Sequence, residues 1–97
     1  MRLQIRRLGG IAGVTLKTRV DTAELPAEDG TRVDSALRGL AWGAPAGPPQ
    51  PDAFRYEITQ LDDPRQTSVL LGEREVPTEL RGLIEAVAAS GEIERGA

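Results

Sequence analysis

The sequence predicts an α+β domain of two layers, and three observations predict it. Four short stretches alternate apolar and polar residues with period two: Arg2 to Leu8, Val14 to Val20, Phe54 to Thr59 and Thr67 to Leu71. Two stretches repeat apolar residues at helical spacing, one after each pair of strands. Turn-forming residues separate all six. The order is therefore ββαββα. One four-stranded antiparallel sheet carrying both helices on one face satisfies two hairpins and two one-faced helices at once.

The first hairpin joins Leu3 and Ile5 on one strand to Val14, Leu16, Thr18 and Val20 on the next. Between them lies Gly9-Gly10-Ile11-Ala12-Gly13. Three glycines in five positions allow backbone angles that other residues avoid. The tip is longer than a two-residue turn. It displays one aliphatic side chain, Ile11, on an otherwise bare backbone. Such a loop either only turns the chain or enters another protein's cleft, and most glycine-rich tips are turns. The outer face of this hairpin carries Arg2, Arg6, Lys17 and Arg19. No aromatics are interleaved there for base stacking, and basic side chains on a wet face also discourage sheet stacking.

Asp21 or Thr22 can cap a short turn, and Pro26 suits a helix start. Val33, Ala36, Leu37 and Leu40 then mark a helix within residues 27–40. Gly30 and Gly39 each cost about 1 kcal/mol in a helix interior, so a short helix frayed at its start is expected. Trp42 follows as a lid over the core edge. Residues 44–51 hold Pro45, Pro48, Pro49 and Pro51 and form an extended connector. Phe54, Tyr56 and Ile58 define the third strand. A turn centred on Asp63-Pro64 leads to Val69 and Leu71 in the fourth. Pro77 opens a second helix with Leu80, Leu83, Ile84 and Val87 on one stripe, and Gly91 ends it. Residues 1–90 read as one domain and 91–97 as a flexible tail.

Ninety-seven residues make one small domain. Trp42, Phe54 and Tyr56 are the only aromatics, so the core must be built mainly from Leu, Val, Ile and Ala. The chain has no cysteine and no histidine. That removes disulfides, the commonest general base and the commonest metal ligand. Ser35, Ser68 and Ser90 then lack their usual activating base. The pair Asp62-Asp63 sits in a turn, and no acid spacing matches a calcium loop. The glycine tip fits neither a phosphate-binding loop nor a dinucleotide fingerprint. Enzyme is the weakest class, binding module the strongest, and neither metal nor cofactor is expected. A net charge of −3 argues against nucleic acid. No apolar run reaches the roughly 18 residues of a membrane span, and the N-terminus lacks a secretory pattern. A cytoplasmic protein is expected. Basic residues are nearly all Arg, an association with GC-rich bacterial genomes.

The whole pattern resembles the emfourin family. The residues that carry the resemblance are Arg6-Arg7-Leu8-Gly9-Gly10-Ile11-Ala12-Gly13, Asp21 with Leu25-Pro26, Asp52-Ala53-Phe54-Arg55-Tyr56-Glu57-Ile58, and Val76 to Ile84. They span the chain from Arg2 to Val87. Ile11 stands where the family pattern has an aromatic residue. The resemblance implies a small bacterial, cytoplasmic α+β protein that inhibits protealysin-like members of the thermolysin group of zinc metallopeptidases. The physical reading of the tip and this resemblance meet at Gly9, Gly10, Ile11, Ala12 and Gly13, the expected contact with the protease cleft. Blocking the cleft, a backbone carbonyl at the metal, and the N-terminal amine at the metal remain open as mechanisms. The alternative is an interaction domain with no inhibitory activity.

Overall fold

Alternation in the first strand places Leu3 and Ile5 on one side, and both are fully buried there. The computed structural model describes residues 1–9, 15–44 and 53–93. Strand β1 (Arg2–Gly9) pairs antiparallel with β2 (Leu16–Asp21) and with β3 (Phe54–Gln60). Strand β4 (Ser68–Gly72) pairs with the outer side of β3. The register sets Ile5 opposite Thr18 on one side and Ile58 on the other, and Ile58 opposite Val69. Directly opposed residues share a face. One face therefore collects Leu3, Ile5, Tyr56, Ile58, Val69 and Leu71, all buried.

Helices α1 (Ala27–Arg38) and α2 (Arg81–Ser90) supply the other half of this core. Val33 and Leu37 come from α1, and Leu83, Ile84 and Val87 from α2. Leu80, in a tight turn at Thr78–Leu80 that leads into α2, is fully buried beside them. The two-layer α+β arrangement with both helices on one face is as expected. The strand count is not. Among the described residues the sheet has five strands, β5 being Glu92–Ile93, in the order β4-β3-β1-β2-β5, against the four expected.

The fifth strand, β5 (Glu92–Ile93), pairs antiparallel with β2 through Leu16↔Ile93 and Lys17↔Glu92. Gly91 makes it by ending α2 in extended geometry, φ −64° and ψ 145°. A Cβ on Gly91 would collide with the Val87 carbonyl oxygen, so only glycine turns the chain this closely. Two residues cannot show alternation, and Ile93 is 62% exposed. The pairing rests on backbone groups, which have no sequence signature. The boundary expected after residue 90 falls before this strand. Residues 94–97 lie outside the described residues.

The first helix also differs from expectation. It runs regularly through Gly30, whose N–H donates to the Pro26 carbonyl at 2.8 Å. A Cβ on Gly30 would come within 3.1 Å of the Thr22 carbonyl oxygen. The glycine lets α1 lie against the preceding turn, Thr22–Glu24, and that packing offsets its poor helix propensity. Trp42 packs on the core edge as expected, its Nε1–H donating to the Leu37 carbonyl at 2.8 Å. The proline connector falls almost wholly within residues 45–52, outside the described residues.

Candidate functional site

The two ends of the sheet differ in how their polar groups are satisfied. At one end the β3–β4 turn is built by Asp63. Its carboxylate accepts from the Arg65 N–H at 3.1 Å, the Thr67 N–H at 3.3 Å and the Thr67 hydroxyl at 2.6 Å. The Thr67 hydroxyl, followed by the Arg65 amide, holds the Asp63 carboxyl below its ordinary pKa. Gln66 takes a left-handed φ of 47° to close the turn. The Met1 amine is also at this end, donating to Thr22 Oγ1 at 2.9 Å. Asp62 accepts from the Arg2 N–H at 3.2 Å.

The other end carries the glycine tip. Gly9 is the last residue of β1, opposite Phe54, with φ +88°. A Cβ there would meet the Ala53 carbonyl oxygen at 3.1 Å. The chain thus leaves the sheet through a conformation that glycine alone adopts without strain. Of the predicted contact residues, the structure places Gly9. Gly10, Ile11, Ala12 and Gly13 lie outside the described residues. The Met1 amine and Gly9 stand at opposite ends of β1, about 25 Å apart at roughly 3.3 Å per residue. The amine therefore cannot share one small site with Gly9.

Sequence reasoning missed Arg7. It continues the phase of Leu3 and Ile5, so it stands on the helix-covered face, opposite Leu16 and Tyr56. Its guanidinium carbon lies 4.3 Å from the centre of the Phe54 ring, a cation–π stack. Its Nε is buried and has no hydrogen-bond partner. Tyr56 beside it is 4% exposed. Burial, then the charge of Glu73, pushes the Tyr56 hydroxyl above its ordinary pKa, while Arg7 and Arg81 pull the other way. The signal was present in the alternation, since a residue two after Ile5 on a strand shares its face.

The helix-free face is mixed rather than basic. Arg6 Nη1 donates to Glu57 Oε1 at 3.0 Å across the strands, and both side chains are roughly a third exposed or less. Glu92 stands opposite Lys17, and Asp21 opposite Arg2. These acids lower the field that a phosphate backbone would need. The free edge of β4 is also closed at its ends. Gly72 donates its N–H to Glu75 Oε1 and accepts the Glu75 N–H, both at 2.9 Å. Ser68 gives its carbonyl to the Gly43 N–H at 2.9 Å. Such caps discourage strand addition there. Among the described residues no group of three acids, histidines or cysteines converges on a metal position.

A family model named Emfourin matches residues 5–88, most of the chain and both helices except the last two residues of α2. The chain belongs to the Emfourin family. Membership suggests a protease-inhibitor-like role and, in general, a protease as partner. No curated protein and no solved structure matches the chain. No helix among the described residues is long and apolar enough to cross a membrane.

Proposed function

We propose that this protein inhibits thermolysin-like, protealysin-type zinc metallopeptidases by filling the active-site cleft with the Gly9–Gly13 tip. The observation that carries this reading is the family match, which spans the tip and both layers of the fold. The protein then works as a ligand rather than as an enzyme, in the cytoplasm of a bacterium. Ile11 supplies the apolar side chain for the pocket beyond the scissile bond, and the flanking glycines let the backbone approach closely. The distant position of the Met1 amine, held by Thr22, favours the tip over the amine as the group that enters.

The test is inhibition of a panel of thermolysin-like peptidases, including any encoded beside this protein. Inhibition at or below micromolar concentration is expected for at least one. No inhibition across the panel would contradict the proposal. Capture of a non-protease partner from the protein's own cells would favour the interaction domain without inhibitory activity.

A further inference from the structure

Helices packed side by side on a sheet interlock their side chains and leave few voids between them. Here α1 packs on the Thr78–Leu80 turn and α2 on β1 and β2, and the two helices make little contact with each other. The gap between them is a cleft of about 630 Å³. Its apolar lining comes from Val20, Leu25, Val33, Leu83 and Ala86, contributed by β2, the chain before α1 and both helices. Val20 stands opposite Leu3, on the helix-covered face of the sheet, yet it is only half-buried. The cleft therefore reaches through the helix layer to the sheet. Gly82 forms part of its wall on α2. Gly30 is required by the Thr22 carbonyl beside it, but a Cβ on Gly82 would meet nothing within 4 Å. Packing does not demand this glycine, and alanine is the better helix former. The bare position keeps the cleft open. Asp29, Arg32, Thr78 and Glu79 complete the lining, and all four are exposed. No ion pair joins Asp29, Arg32 or Glu79 to another described residue. Two carboxylates against one guanidinium leave the rim negative.

We propose that this cleft binds a small amine, with its apolar body among Val20, Leu25, Val33 and Leu83 and its ammonium head at the rim beside Asp29 and Glu79. The volume suits a small molecule, since ordinary ligand sites span roughly 300–1,000 Å³ and combine apolar walls with a few polar groups. A carboxylate ligand would bring a like charge to Asp29 and Glu79. An uncharged ligand would leave their attraction unused. The cleft stands apart from the glycine tip. Val20 is opposite Leu3, near the start of β1, and Gly9 ends that strand, about 20 Å away at roughly 3.3 Å per residue. A ligand here is therefore independent of the inhibitor reading and leaves the tip uncovered.

The test adds hexylamine to the full chain near neutral pH and follows proton–nitrogen correlation spectra. Hexanol and hexanoate at matched concentration and ionic strength are the controls. Saturable shifts are expected at the amides of Val33, Gly82, Leu83 and Ala86. Hexylamine is expected to half-saturate at a concentration about threefold below hexanol, with hexanoate weakest. Gly82→Leu puts a side chain into the cleft and is expected to abolish these shifts in a folded protein. Ala86→Leu serves the same purpose should Gly82→Leu misfold. Asp29→Asn combined with Glu79→Gln is expected to bring hexylamine to the level of hexanol. No saturable shift with hexylamine overturns the site, and so does unaltered binding by a folded filled variant. Equal binding of the three probes overturns the assignment to an amine. The same amides shifting as the protein itself is concentrated, or only when an inhibited peptidase is added, would give the cleft to a second copy or to a protein partner and overturn the small ligand. The amine titration contains no peptidase, so its failure and failure of the inhibitor reading are separate results.

Discussion

The Asp63 turn and the glycine tip close the two hairpins of one sheet, yet they are built on opposite principles. The turn satisfies itself: one carboxylate takes three hydrogen bonds from Arg65 and Thr67. The tip end leaves demands open. Gly9 takes a left-handed φ against the Ala53 carbonyl, and Arg7 carries a buried Nε–H with no acceptor. A self-satisfied end needs nothing from outside. An end with an unmet donor and a glycine held in a left-handed conformation is less self-contained. The difference teaches where to look for the partner when both ends are hairpin turns of similar length.

The comparison is most easily broken at Gly9. Gly9→Val combines a β-branched side chain with φ +88° and a contact 3.1 Å from Ala53, and should cost about 1–3 kcal/mol of stability. Chemical denaturation reads it directly, and an unchanged midpoint would mean that the strand end relaxes freely. Asp63→Ala removes the three bonds of the other turn and should lower the melting temperature. It should also flatten the acid limb of the stability curve. Because the folded-state pKa of Asp63 is depressed below 3.8, its contribution is complete above about pH 4 and is lost as pH falls through the folded value. An acid limb identical in Asp63→Ala and the parent would deny this role.

Arg7→Met should have the opposite sign. It loses a stack on Phe54 but removes an unsatisfied buried donor, so stability should hold or rise by up to about 1 kcal/mol. A loss as large as that of Gly9→Val would mean that the stack on Phe54 outweighs the unmet donor and that Arg7 holds the fold. The smallest effect is alkaline. Tyr56 is the only tyrosine, so its ionisation can be followed by ultraviolet absorbance. Its folded-state pKa is raised above 10.0, so the stability it contributes is complete below about pH 10. That contribution disappears as pH rises through the folded value. A titration midpoint at or below 10.0 would remove the burial argument.

Much of the fold was legible because it rests on periodicity. Leu3, Ile5, Tyr56, Ile58, Val69 and Leu71 alternate, and each lies on the face their phase assigned. Leu80, Leu83, Ile84 and Val87 repeat at helical spacing and are all buried. What was illegible rests on contacts that periodicity does not encode. β5 is two residues long and pairs through its backbone. Gly30 reads as a helix breaker until the Thr22 carbonyl is seen beside it. Alternation gives the face of Arg7, two residues after Ile5, but its stack on the Phe54 ring is a contact between strands distant in sequence that alternation does not encode. Of the tip, Gly9 alone is among the described residues.

The central claim is that the tip end of the sheet is the face that meets a peptidase. Inhibition and thermal stability measured on the same samples of Ile11→Asp test it most directly. A carboxylate forced into an apolar pocket costs several kcal/mol or must be protonated. The account predicts that Ile11→Asp stays folded with an unchanged melting temperature and no longer inhibits a peptidase that the parent protein inhibits. Full inhibition by a stably folded Ile11→Asp protein would contradict it and would place the contact elsewhere on the molecule.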